Sequence, residues 1–226
     1  MIPHVPTAAV IANPRIAAEL GHLGDWLEEH SFSTQRLIRD DVLDIDAADD
    51  ADVLIVMGSI WTLADGHRTE EHRAAIDAEV ELVRGWVREN RPMLGICFGG
   101  QVLSASLGGT VERMPIRVLG WETPASDLPV LRAPWALWHE DRFSIPAGTD
   151  ALAVTPHAPM ALRSHRAWGL QFHPEFTPDI MRGIAHDLGT PQAQAEPLIS
   201  LAEQRHEQQR AESHALFDSW WAEVRA

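Results

Sequence analysis

Residues 93–101 read Met93-Leu94-Gly95-Ile96-Cys97-Phe98-Gly99-Gly100-Gln101. A buried strand over Met93 to Ile96 runs straight into the cysteine. Phe98 to Leu107 then reads as a helix closed by Gly108-Gly109. Cys97 therefore falls on a strand-to-helix corner, with glycines two before and two after it. A corner that sharp brings neighbouring backbone so close that side chains at those positions would clash. The free N–H groups and the dipole of the helix start favour a thiolate there. By itself the heptapeptide is also open to a plainer reading, a small buried hydrophobe between tightly packed glycines. Cys97 is the sole cysteine, so neither an internal disulfide nor a multi-cysteine zinc site can form.

On the N-terminal side, Ala8 to Asn13 is a short apolar run ending at Asn13-Pro14, a strand followed by a turn or helix start. Ile16 to Glu29 puts Leu20, Leu23 and Trp26 at helical spacing, and Asp52 to Met57 is another apolar run. Thr69 is a candidate N-cap with Glu70 and Glu71 in the first turn, and Ile76, Val80, Val83 and Val87 follow on one helical face that must stop before Pro92. Strands alternating with helices predict an α/β protein. From Thr110 to Phe172 short runs separated by Pro, Gly and Trp suit a smaller antiparallel portion, with Ala167 to Phe172 as the last strand. Thr177 to Leu188 is a helix with Gly189 beyond its end. Thr190 to Ser213 reads as partly helical and solvated, and Leu216, Phe217, Trp220 and Val224 give a final helix its apolar stripe. We expect one domain over 1–189 and a helical extension, 190–226, packed on it.

The 226 residues carry 18 Lys+Arg against 33 Asp+Glu, a formal charge of −15. That excess disfavours binding to nucleic acid or to anionic membranes, which call for clustered cations. No early apolar run is long enough for a signal peptide or a membrane span, so a cytoplasmic protein is expected. His67 and His72, five residues apart, share no helical face and give no metal site. The nine tryptophans suit packing, except that Trp61 is close enough to Gly58-Ser59-Ile60 to shape a pocket.

A second motif, Gly169-Leu170-Gln171-Phe172-His173-Pro174-Glu175-Phe176, lies at the end of the last strand. Alternation makes His173 and Glu175 project together, with Pro174 between them. A carboxylate beside an imidazole holds one ring nitrogen while the other meets a thiol. In isolation a solvated His and Glu at a strand end is the simpler account; beside the cysteine corner, a Cys97-His173-Glu175 triad is the better one.

On these motifs, G-x-C-x-G-x-Q and H-P-E, the chain resembles the class I glutamine amidotransferases, in a stand-alone form like the glutaminase of GMP synthases. Trp138-His139-Glu140-Asp141-Arg142-Phe143 with Pro146 and Gly148 is similar to a further segment of that family. The resemblance runs from about residue 8 to 185 and implies that family's flavodoxin-like fold, an open, mainly parallel sheet flanked by helices, with Cys97, His173 and Glu175 as its triad. It also implies oxyanion donors at the backbone N–H groups of Phe98 and Ser59, and a substrate pocket formed with Gly58, Gln101, His139 and Asp141. Gly58-Ser59-Ile60 departs from the family's Gly-Gly-Pro. A positive φ would cost a serine more than a glycine and the proline is missing, so this donor is expected to form only when substrate binds.

The implied chemistry is hydrolysis of the side-chain amide of glutamine, or of another γ-glutamyl small molecule, through a Cys97 thioester, without metal or cofactor. The sequence carries neither a G-x-x-x-x-G-K-[ST] loop nor a Ser-Gly-Gly phosphate loop, so the ammonia acceptor would belong to a separate synthase. The alternatives are a stand-alone γ-glutamyl hydrolase or peptidase, and a non-catalytic binding or regulatory module on the same fold.

Overall fold

The computed structural model describes residues 4–14, 19–39 and 46–225. Strands β1 (Thr7–Ala12), β2 (Ser33–Ile38), β3 (Val53–Val56), β4 (Met93–Ile96) and β10 (Ala167–Leu170) pair in parallel in the order β2-β1-β3-β4-β10. Antiparallel strands β9 (Pro159–Ser164), β8 (Asp150–Val154) and β6 (Ala125–Ser126) extend that sheet to eight strands. A separate two-stranded antiparallel sheet joins β5 (Val111–Glu122) to β7 (Trp135–Phe143). The mainly parallel α/β sheet with a smaller antiparallel portion is thus as expected.

Alternation along the central strands divides the core. Ala8, Val10 and Ala12 face one side with Val53, Ile55 and Leu94; Ala9 and Ile11 face the other with Leu54, Val56 and Met93. Helices α1 (Gly21–Glu29) and α7 (His206–Val224) cover the first face, while α3 (Glu70–Arg88) and α4 (Phe98–Ser106) cover the second, after the short α2 (Asp46–Asp49). Thr69 caps α3 by accepting from the His72 N–H, as its sequence predicts. Thr177 likewise caps α5 (Pro178–Asp187).

Three expectations need amendment. The first helix begins at Gly21, because Glu19 and Leu20 are not helical; residues 15–18, Ile16 among them, lie outside the described residues. β2 is absent from the sequence reading because Ser33 to Arg36 are exposed and polar at the sheet edge, so no periodicity marks it. Residues 190–213 are helical with one solvated face, as expected, but they also bury a face that the sequence reading did not give them. Helix α6 (Gln192–Gln204) buries Ala195, Ile199 and Ala202 against Trp138, Phe176 and α5, and α7 buries Gln209 and Ser213.

The stripe on α7 is as predicted: Leu216, Phe217, Trp220 and Val224 are all fully buried. Trp220 also donates from Nε1 to the Met93 carbonyl at 3.1 Å, tying the last helix to β4. None of the helices among the described residues is long and apolar enough to cross a membrane. Replacing Trp220 with Ala should lower stability by roughly 3–5 kcal/mol, read as a shift in the urea midpoint at constant slope. A change under 1 kcal/mol would show that α7 is not part of the cooperative core.

Candidate active site

Three adjacent parallel strands end at one place. Gly58 follows β3, Cys97 follows β4 and Gln171 to His173 follow β10, so the candidate residues gather at the carboxyl edge of the sheet, where open α/β sheets hold their ligands. Cys97 adopts φ 52° and ψ −104°, a conformation side chains rarely take, and its N–H donates to the Leu170 carbonyl at 2.7 Å. The flanking glycines are needed for closeness. A Cβ on Gly95 would lie 2.4 Å from the Gly99 carbonyl oxygen, and one on Gly99 would lie 1.9 Å from that of Val56. The corner predicted from the sequence is therefore formed, with the thiol at the start of α4.

β10 ends at Leu170, so His173 and Glu175 lie beyond the strand. His173 is instead held by a single bridge, its N–H donating to the Ala136 carbonyl of β7 at 2.9 Å. The two side chains still meet, with Nδ1 of His173 2.8 Å from Oε1 of Glu175, both buried. The Phe176 ring stacks on the imidazole at 3.9 Å between centroids. A Cβ on Gly58 would be 3.2 Å from Cε1 of His173 and 3.6 Å from Cβ of Cys97, so the imidazole and the cysteine converge on a position that has no side chain. Burial disfavours the charged imidazole, but the Glu175 carboxylate and then the Cys97 sulfur outweigh it and push the His173 pKa up to about 10. The arrangement suits a thiolate–imidazolium pair steadied by a carboxylate.

The turn carrying Glu175 is secured from outside. The Pro174 carbonyl accepts from Ser213 Oγ at 2.6 Å, that of Glu175 from the His22 N–H at 3.1 Å, and that of Phe176 from Gln209 Nε2 at 3.0 Å. Sequence reasoning missed these anchors, and also Gln171, whose Nε2 lies 3.8 Å from the Cys97 sulfur. Gln171 stands two residues before His173, a spacing that could have placed it on the same side.

A pocket of about 340 Å³ opens over Cys97, lined by Ser59, Trp61, Gln101, Trp138 and His139 among others. Trp61 forms one wall, stacked on His72 at 4.1 Å. His139 is buried, and that burial, opposed by its bond from Nδ1 to the Asp141 carbonyl at 2.9 Å, takes its pKa down to about 4. It is therefore neutral, with Nε2 left as an acceptor. Gln101 Nε2 donates to the same carbonyl at 3.4 Å. The Asp141 carboxylate braces the site, accepting from Thr62 Oγ1 at 2.6 Å and pairing with Arg113 Nε at 2.8 Å. Burial raises its pKa against those two partners.

The loop after β3 is tied down, contrary to the looseness expected of Gly58-Ser59-Ile60. Ser59 is not among the residues of positive φ, so the strain that a serine was expected to bear is absent. Its hydroxyl donates to Asn13 Oδ1 at 2.7 Å and accepts from the Trp61 N–H at 3.1 Å. The buried guanidinium of Arg39, a residue the sequence reading passed over, donates to the carbonyls of Met57 and Gly58. Among the described residues neither the Phe98 nor the Ser59 N–H has a hydrogen-bond acceptor, and both residues flank the thiol.

Fold and site together define a class, an α/β protein with a buried cysteine at the carboxyl edge of its parallel sheet, and comparison with known proteins makes it specific. Residues 33–183 match the family model "Glutamine amidotransferase class-I", and the chain belongs to that family. It is 37% identical over 112 residues to a GMP synthase [glutamine-hydrolyzing] of Dehalococcoides mccartyi, a match covering 44% of this chain and 21% of that protein. A protein of the same name from Brucella melitensis is 38% identical over 104 residues, 39% of this chain and 20% of its own length. The chain thus spans about a fifth of the curated relatives it matches. Among solved structures, a glutamine amidotransferase from Thermotoga maritima superposes with a TM-score of 0.84 at 21% identity, over 99% of this chain and 100% of that one. Another from Methylobacillus flagellatus gives 0.73 at 23%, over 97% and 95%. At those identities the likeness is one of fold.

The raised His173 pKa has a consequence for stability. Between its ordinary 6.5 and about 10 the folded protein keeps a proton that the unfolded chain releases. The contribution is complete below 6.5 and is lost as pH rises through about 10. Glu175→Gln removes the leading cause of the raised value, so the melting temperature of the variant should decline less between pH 7 and 10 than that of the parent. Parallel declines would show that the pair is not coupled.

Proposed function

We propose that the chain hydrolyses the side-chain amide of glutamine through a thioester on Cys97 and that the ammonia released serves a separate synthase. The carrying observation is the convergence of Cys97, on its strained corner, with the His173–Glu175 pair at Gly58. The Cys97 thiolate attacks the amide carbonyl, and the oxyanion is met by the free N–H groups of Phe98 and Ser59. The His173 imidazolium gives its proton to the departing nitrogen as the C–N bond breaks. Water, deprotonated by the now neutral His173, then attacks the thioester, and glutamate and the thiolate are regenerated. Gly58, Gln101, His139 and Asp141 shape the pocket for the amino-acid end, and neutral His139 presents an acceptor suited to an ammonium group. On this reading 1–189 is the reacting domain and 190–226 is an extension of it that secures the Glu175 turn.

The synthase partner is suggested by the relatives, which are named as glutamine-hydrolysing GMP synthases and are more than twice as long. One observation favours a second reading, a self-sufficient γ-glutamyl hydrolase: the Ser59 loop is anchored by Arg39 and Asn13 of this same chain. Ammonia release by the isolated chain from glutamine and from γ-glutamyl amides distinguishes them. Slow turnover accelerated by a synthase supports the first, and fast unaided turnover the second. Cys97→Ala should abolish both activities, a loss of at least about 10⁴-fold, consistent with removal of a nucleophile. A glutamine-mimicking electrophile should modify one thiol per chain. Substantial turnover by Cys97→Ala would dismiss the thioester.

A further inference from the structure

Arg39 lies just past β2, and Glu79 on the inner face of α3; neither side chain is exposed to solvent. Nε and Nη2 of the guanidinium donate to the two Glu79 oxygens at 2.9 and 3.0 Å. Nη2 also donates to the Met57 carbonyl at 3.0 Å, and Nη1 to the Gly58 carbonyl at 3.2 Å and to Asn13 Oδ1 at 2.9 Å. Every N–H that a guanidinium offers therefore has an acceptor. Its flat face lies over the Phe98 ring, with Cζ 4.8 Å from the ring centroid. One buried cation thus touches both residues whose peptides flank the thiol: Phe98 through its ring, and Ser59 through the preceding carbonyl.

Stability does not account for such a pair. Taking two charges out of water costs several kcal/mol per ion, and apolar residues of the same volume are often as stable or more so. An apolar pair could not hold two carbonyls, however. The Gly58 carbonyl and the Ser59 N–H belong to one peptide plane, and in a trans peptide they point in opposite directions. Fixing that carbonyl on the guanidinium fixes the Ser59 N–H on the opposite side of the loop, and Ser59 lines the pocket with Cys97.

We propose that Arg39, with Glu79 as its counter-ion, is a positioning residue that sets the oxyanion donor of Ser59 by clamping the Gly58–Ser59 peptide, an assignment that rests on the proposed role of that N–H. The pair replaces the rigidity that a Gly-Gly-Pro loop would have from its proline. It also links the donor to α3 and β2, so the loop is held by the body of the protein as well as by its own residues.

Two rates at Cys97 test this. Acylation by a p-nitrophenyl ester passes through a tetrahedral oxyanion; alkylation by iodoacetamide is a displacement at carbon that forms none. Arg39→Met/Glu79→Leu removes both charges together and leaves no buried ion unpaired, so it should fold, with a melting temperature lowered only by the loss of the donors to the Met57 and Gly58 carbonyls. Arg39→Lys keeps the charge, but an ammonium cannot span Glu79 and both carbonyls. Each variant should acylate at least about tenfold more slowly, within the roughly 10²–10³-fold that a lost donor costs, while alkylation stays within about twofold. Unchanged acylation, a fall in alkylation equal to that in acylation, or failure of both variants to fold would each overturn the proposal. Absence of glutamine turnover by the parent chain would discard the glutamine reading, whereas the ratio of the two rates would still decide the role of Arg39.

Discussion

The first turn of α4 lies against the ends of β3 and β4 with no side chain between, and the rest of the site depends on that approach. Gly95 and Gly99 permit it, and the chain can make the corner only by placing Cys97 at φ 52°. A residue in that region costs on the order of 1–3 kcal/mol and persists only where its surroundings over-determine it. Here they do. The Cys97 N–H is held by Leu170 of β10, the Gln101 N–H returns to the Cys97 carbonyl at 3.1 Å, and α4 packs Phe98, Val102 and Leu103 into the core on its side of the sheet. The sulfur is thereby presented at the sheet edge, where Ser59 and His173, from beyond the two neighbouring strands, line the space around Cys97.

Around that sulfur the charges are compensated pair by pair, although the chain as a whole carries −15. Glu175 is matched by His173, Glu79 by Arg39, and Asp141 by Arg113. The members of each of the last two pairs come from different elements, so each pair also spans two parts of the fold. Only the first pair includes an imidazole, and it alone converges with Cys97, at Gly58. The others act on backbone: Arg39 on the carbonyls after β3, Asp141 through its own carbonyl on Gln101 and His139. His139, kept neutral by burial, adds no second cation beside His173.

The parts of this arrangement that could be read from the sequence are those with a local signature. The corner at Cys97 announces itself through glycines at fixed offsets, His173 and Glu175 through their spacing, and the central strands and α3 through apolar periodicity. What escaped is what depends on partners distant in sequence. Arg39 stands at the end of a polar edge strand, and Glu79 sits among Ile76, Val80 and Val83 as one more charged residue of an amphipathic helix. Their pairing across 40 residues has no local pattern. Gln209 and Ser213 look like solvated helix residues until the turn at Pro174 is placed beneath them. The serine in Gly58-Ser59-Ile60 suggested looseness because the loop was judged by its own residues, whereas its rigidity comes from Asn13, Arg39 and Thr62.

Membership of the family is established over residues 33–183, yet that span is not a self-sufficient unit of structure. β1 lies between β2 and β3, so without it the sheet would be broken, with β2 detached. The carbonyls of Pro174, Glu175 and Phe176 find their donors in Ser213, His22 and Gln209, all outside the span. A buried carbonyl left unpaired costs about 1–3 kcal/mol, and three in succession would exceed what one turn can bear. The turn would then move to find solvent, carrying the Glu175 carboxylate away from His173. The residues that define the chemistry and those that hold them in place are therefore separable in sequence but not in energy, and the final helix is as much a condition of the His173–Glu175 contact as the motif that names it.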